Sequence, residues 1–410
     1  MNRFKFMRGE AIGAWMSHWR QWLWIVFAVA IIGAMSVALV YERSSASVPA
    51  EPHPPESSVS YHDEPVLVPP PPEIDPDVVE SLLSRDSIKA IDDPHFLPGI
   101  EAAHFMFPDE QVIGLEINGD IRAYPIPVLS AHEIVNDVVG GEDIAVTWCP
   151  LCYTALVFSR RAGTGGDTLS FGVSGKLLYE TLVMYDRESD SLWSQLYGAA
   201  LDGPMVGTRL SFFPSVFTTW SAWIEENLET LVLDKDETCR RYSCGNYSSN
   251  PRGGYDVDPY ASYYNQPDEG VINRQIPRDS EQAVGTAKVR VLGIRVAGAA
   301  KAYPYAAFES RSWFNDELGG IPILVWLDID TQSGLAYLRN LDGLELTFEA
   351  SSGSDKILVD RETGSQWETA SGEAISGPLL GSHLTPVIAT SAFEFGWYDY
   401  FPESETFNDQ

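Results

Sequence analysis

The chain carries one pattern twice. The run VIGLEINGDIRAYPIPVLSAHEIVNDVVGGEDIAV, from Val112, matches VLGIRVAGAAKAYPYAAFESRSWFNDELGGIPILV, from Val291. Ala123-Tyr124-Pro125 falls on Ala302-Tyr303-Pro304, Asn136-Asp137 on Asn315-Asp316, and Gly140-Gly141 on Gly319-Gly320. Further on, Asp186-Arg187 answers Asp360-Arg361, Trp193 answers Trp367, and Gly203-Pro204 answers Gly377-Pro378. Self-similarity of this kind constrains the fold more than any composition, because each copy must form the same supersecondary unit. Two tandem copies of one unit are expected, over 76–232 and 286–402, with an insert over 233–285.

Within a copy the pattern is mostly that of strands. QVIGLEI and DIRAYPI alternate around Asn118-Gly119, a strong short-range hairpin signal. DIAVTW, TALVFSR, TLSFGVS and TLVMYDR read as further strands. SAHEIVNDVVGG reads as a short helix, with Ser130 and Glu133 in a capping-box pattern and the double glycine as its stop. FTTWSAWIEENL, after Ser215, reads as an amphipathic helix closing the unit, and IDPDVVESLLSR as a short helix opening on Asp75. The fold class is therefore α+β and β-rich, with the second copy degenerate.

The N-terminal region predicts where this domain sits. Residues 1–22 hold Arg3, Lys5, Arg8 and Arg20 against one acid, Glu10, and 23–40 run without a charge. That length spans a bilayer, and the basic flank stays in the cytoplasm, which exports the remainder. An uncleaved signal anchor is the expectation; the small residues of SSASVPA leave a cleaved signal peptide as the alternative. The lipid bilayer is thus the expected partner of 23–40, and 41–75, with four prolines at 69–72, read as a tether. The net charge of −31, from 58 acidic and 27 basic side chains, argues against a nucleic-acid partner.

The two copies differ where the chemistry-bearing residues lie. His132 aligns with Arg311, Glu133 with Ser312, and Cys149 and Cys152 fall near Asp328 and Thr331. Three readings of the C-P-L-C pair stay open. The first is a soft metal site of Cys149, Cys152 and His132, suited to copper or zinc, with Glu133, Asn136 and Trp148 around it. The second is thiol–disulfide exchange, which Trp148-Cys149-Pro150-Leu151-Cys152 resembles in sequence, although a strand pattern follows where such sites have a helix. The third is an inert bridge in an oxidising compartment. Cys239 and Cys244, close together in the insert, predict a loop-stapling disulfide. The insert's tyrosines, among them Tyr247, Tyr255, Tyr260, Tyr263 and Tyr264, predict a ligand cleft between the copies, a polar loop packing its own tyrosines, or a surface for an envelope partner.

Taken together, IKAIDDPHF, VIGLEINGDIRAYP, HEIVNDVVGG, VTWCPLCYTALVF, FGVSG, LVMYDRESDSLWSQLYGAALDGPMVGTRL and DPYASY resemble a bacterial family catalogued as domain of unknown function 3179. The resemblance covers roughly residues 85 to 400. It implies that His132 to Asp137 and Cys149 to Cys152 are shared elements; for a bacterial chain, the basic flank and the apolar run 23–40 predict an inner-membrane protein, single-pass, its main domain periplasmic. It implies no reaction. The sequence departs from the family pattern at Tyr153, where a glycine is expected, and in carrying Cys239 and Cys244.

Overall fold

The structure, a computed structural model, describes residues 78–408 apart from 163–165, 243, 245–253, 257, 267–269, 273–287, 309–310 and 352–353. The expectations for the basic tail, the apolar span 23–40 and the tether 41–75 lie outside the described residues. Those described belong to a unit spanning Tyr61–Gln410. None of their helices is long and apolar enough to cross a membrane.

Strand β1 (Val79–Ser81) takes the place of the helix expected from Asp75 onward, because the main chain there pairs with a strand edge, Val79 opposite Leu178. Then follow β2 (Phe96–Pro98) and the short helix α1 (Gly99–Ala102). The predicted hairpin is β3 (Gln111–Ile117) and β4 (Asp120–Pro125), turned by Asn118 and Gly119 at φ 50° and 79°. Both central residues are left-handed, as a type I′ turn requires.

The next stretch corrects the expected helix. Helix α2 (Ile126–His132) begins a turn earlier, and Ile134–Val139 is a strand, β5, paired with β6 (Glu142–Cys149) across Gly140-Gly141. The β-branched residues of Ile134–Val139, buried and paired along the whole strand with β6, outweigh the capping-box pattern. Glu133 stops α2 at φ 61°, so Ser130 and Glu133 form no capping box.

Strands β7 (Thr154–Ser159), β8 (Phe171–Leu178) and β9 (Thr181–Asp186) follow the sequence reading, and β10 (Leu192–Ser194) and β11 (Ala199–Asp202), which it did not mark, extend their sheet. The half closes with β12 (Phe212–Phe213), β13 (Val216–Thr219), helix α3 (Trp220–Glu226) and β14 (Leu231–Leu233). Thr219 caps α3 by accepting from the Ala222 N–H. The insert holds α4 (Lys235–Tyr242) and α5 (Ala261–Tyr264).

The second half pairs its strands in a matching order. Its β15 (Arg290–Val296), β16 (Ala299–Pro304), β17 (Trp313–Leu318), β18 (Ile321–Asp328) and β19 (Ser333–Leu338) are antiparallel neighbours where the chain turns tightly. A small hairpin, β20 (Asn340–Leu341) and β21 (Leu344–Glu345), leads to β22 (Phe348–Ser351), β23 (Ser354–Asp360), β24 (Gln366–Glu368) and β25 (Ala374–Ser376). Strand β26 (Ile388–Phe393), helix α6 (Glu394–Tyr400) and β27 (Glu405–Thr406) end it. The sheet order β13-β3-β4-β14 has its counterpart in β26-β15-β16-β27, and β8-β9-β10-β11 in β22-β23-β24-β25.

Side chains repeat along with strands. The Trp193 indole donates to Asp186 at 2.8 Å and that of Trp367 to Asp360 at 2.9 Å. Tyr124 donates to Asp137 at 2.6 Å and Tyr303 to Asp316 at 2.8 Å. Asn136 bonds both backbone groups of Phe171, and Asn315 both of Phe348. Positions that the sequence holds in common are thus the polar ties of the scaffold. Helix α6, from the second half, packs Trp397 and Tyr400 into the core that surrounds Cys149 and Cys152.

Candidate functional site: the buried dithiol turn

The C-P-L-C turn is the loop between β6 and β7. Cys149 is the last residue of β6 and pairs with Thr154, the first of β7, leaving four residues to reverse the chain. Tyr153 sits in that loop at φ 62°, a conformation glycine takes freely and other residues take with strain. This accounts for the glycine expected there. Gln332 occupies the corresponding turn of the second half at φ 56°, so the backbone shape belongs to the scaffold and only the sulfurs are particular to the first half.

Both cysteines are unbridged and buried, 1% and 0% exposed. The Cys149 thiol donates to the Glu180 carbonyl at 3.7 Å, and Cys152 Sγ lies 3.1 Å from Thr154 Oγ1. The Cys152 thiol also reaches the Cys149 carbonyl, at 4.0 Å. Burial raises the pKa of both. At Cys152 the polar contacts with Cys149 and Thr154 outweigh burial, so Cys152 is held below the usual thiol range. Cys149 is pushed well above it, by burial first and then by its neighbour sulfur. Thr154 also donates to Gln195 Oε1 at 2.7 Å, and Gln195 donates back to Thr147 and to the Thr154 carbonyl. This network fixes the base of the turn.

Glu133 is the ionisable neighbour of Cys149. Its N–H donates to the Leu129 carbonyl and its C=O accepts from the Trp148 N–H at 2.8 Å, which pins it at the mouth of the β5–β6 ladder. Burial, with Cys149 as the second cause, lifts its carboxyl to about 8. The group is mostly protonated at neutral pH.

His132 is placed elsewhere. Its Nδ1 lies 2.7 Å from the Lys89 carbonyl and its Nε2 2.7 Å from the Tyr255 hydroxyl. A carbonyl only accepts, so Nδ1 carries the proton and Nε2 accepts from Tyr255. Burial lowers the histidine pKa, keeping the ring neutral. The thiols are therefore brought together, whereas both ring nitrogens of His132 are engaged with other partners. Among the described residues no three His, Cys, Asp or Glu side chains converge as a metal-holding group. Asn136 ties β5 to β8 and to Asp92, and Trp148 stacks on Phe217 while its indole reaches Ser130. Both hold the scaffold around the turn.

Cys239 and Cys244 form the expected disulfide, with Gly254 pressed against both sulfurs. Beyond it the insert crosses the turn. Tyr255 reaches His132, and the Tyr263 hydroxyl donates to the Leu151 carbonyl at 2.8 Å inside C-P-L-C. The Glu180 carboxylate accepts from the N–H groups of Val271, at 2.7 Å, and Ile272. Tyr255 and Tyr263 thus face inward, and the described residues between 254 and 272 form a strap over the dithiol. Sequence reasoning missed Glu180, and named Tyr263 only as one of the insert's tyrosines. One signal was present: Tyr179-Glu180 is the two-residue turn between β8 and β9, at φ 47° and 68°, where Asn-Gly is the undemanding choice.

These features define a class, a β-rich α+β protein whose two similarly paired halves enclose a C-x-x-C dithiol. The chain belongs to the family described as "Protein of unknown function (DUF3179)", whose model matches residues 85–404, including both halves, the turn and the insert. No curated protein and no solved structure matches it.

Proposed function

We propose that Cys149 and Cys152 are a dithiol–disulfide couple that exchanges with a disulfide substrate. The observation that carries this reading is the contact between two unbridged thiols of opposite acidity. A dithiol in which one sulfur gives up its proton readily supplies the thiolate that attacks a disulfide. One protein sulfur forms a mixed disulfide and releases a substrate thiolate, which takes a proton. The second sulfur then displaces the other substrate thiolate, closing Cys149–Cys152. Two electrons and two protons pass from the dithiol to the substrate, and Glu133 beside Cys149 is the group positioned to relay one of those protons.

Equilibrated in dithiothreitol redox buffers, the pair should titrate with a midpoint above about −300 mV. A lower potential would make it a structural staple and end the proposal. The strap makes a separate prediction. Glu180→Gln weakens two charge-assisted hydrogen bonds, so maleimide labelling of Cys149 and Cys152 in the folded protein should speed up about tenfold. An unchanged rate would mean that reagents reach the thiols by another route.

Soft-metal binding is the second reading, favoured by the two adjoining sulfurs in apolar surroundings. Copper or zinc would take Cys149 and Cys152, and His132 would join only by leaving Tyr255. Metal content separates the readings: about one ion per chain in protein purified without chelator, lost in the Cys149→Ser, Cys152→Ser variant, is expected of this reading alone.

We further place the domain outside the cytoplasmic membrane, carried by 23–40 as an anchor. The Cys239–Cys244 disulfide supports that compartment, since such bridges persist where the surroundings oxidise. The matched sheet orders and polar ties support descent of both halves from one unit, the second having kept the scaffold without the thiols.

A further inference from the structure

Arg295, on β15, is a buried cation with no anionic partner among the described residues. It is 6% exposed, and its Nη2 has no hydrogen-bond partner. Its guanidinium lies 5.4 Å from the ring of Phe212 and 5.2 Å from that of Phe401. The ionisable groups that act on it are Tyr197 and a second arginine, Arg209. Burial, with Arg209 adding to it, pushes its pKa down to about 10, so the side chain remains charged at neutral pH. Leaving a desolvated charge unpaired is costly. In a chain carrying 58 acidic side chains, a buried arginine with no carboxylate against it among the described residues is not explained by packing.

The surroundings define what would fit. Two phenyl rings lie against the guanidinium, so the in-plane N–H groups are the part left to offer a ligand, and that fork matches two carboxylate oxygens. Ile388 stands opposite Arg295 in the β15–β26 ladder. Ile388 and Phe212 also line a groove between the halves, with Leu156, Pro214, Leu335 and Pro386. A cation beside an apolar groove is the pattern of a site with one orienting polar group and an apolar wall. We infer that Arg295 and the groove beside it bind a small carboxylate with an apolar body, such as a medium-chain fatty acid. The inference is independent of the dithiol reading.

Calorimetric titration of the full-length protein with hexanoate, acetate and hexanol tests it. Hexanoate should bind at least about tenfold more tightly than acetate, which lacks the apolar body, and than hexanol, which lacks the charge. Arg295→Gln should weaken hexanoate about tenfold or more. The wild-type comparison stands even if that variant folds poorly. Absence of hexanoate binding, equal affinity for acetate or hexanol, or full affinity in a folded Arg295→Gln protein would each overturn the assignment.

Discussion

Glu133→Gln is expected to make the protein markedly more stable at pH 8 and much less so at pH 5. The native carboxyl holds its proton up to about 8, against an ordinary value of 4.5. A raised acid contributes stability that is fully present below its unfolded pKa and is lost as pH rises through the folded one. Between 4.5 and 8 the native state binds more protons than the unfolded state, so stability falls with rising pH. The shift corresponds to a change of about 3 kcal/mol between pH 5 and pH 8. Glutamine is neutral throughout and escapes that loss. Urea midpoints of both proteins at the two pH values read the difference directly. If the gap between them does not widen at pH 8, the native carboxyl is ionised, and its proton-relay role falls with it.

Gly293→Ala should be among the most disruptive single-methyl additions in the molecule. A Cβ there would lie 2.2 Å from two carbons of the Trp397 indole, which is 0% exposed and donates to Ser404 at 2.8 Å. Neither a rigid ring nor a paired strand yields easily, so overpacking should cost about 1–3 kcal/mol. Gly114→Ala meets Trp223 in the first half at 2.4 Å and should cost about as much. Thiol labelling should tell the two apart. Trp397 is on α6, whose Gly396 sits against Cys152, with a Cβ there 3.0 Å from the cysteine's own. Displacing α6 should expose the dithiol, whereas displacing Trp223 should not. Equal labelling rates in the two variants would show that α6 does not seal the site.

The sequence carries local geometry well and distant contact poorly. Asn118-Gly119 announces its hairpin because only a few residues tolerate two left-handed positions in a row. Cys239 and Cys244 announce their bridge because they lie only five positions apart. HEIVND misleads because Ser130 and Glu133 have helix-cap spacing, while partner strand β6, not local propensity, decides that Ile134–Val139 is extended. The shift matters for the site. With α2 ending at His132 and Glu133 left-handed, the histidine bonds Tyr255 and the glutamate becomes the neighbour of Cys149. No spacing rule relates Glu180 to Val271 or Tyr263 to Leu151, since those contacts join residues 91 and 112 positions apart.

The main chain of the turn is not free of the second half. The Phe393 N–H donates to the Cys152 carbonyl at 2.7 Å, Thr390 Oγ1 bonds both backbone groups of Ala155, and Gly396 touches Cys152. Closing a disulfide draws two sulfurs to about 2 Å and twists the backbone that carries them. That displacement is transmitted through Phe393 and Gly396 to the end of β26 and the start of α6. On the proposed couple, the half without cysteines is mechanically geared to the oxidation state of the other, and a spectroscopic label on α6 is expected to register each electron pair the dithiol gains or loses.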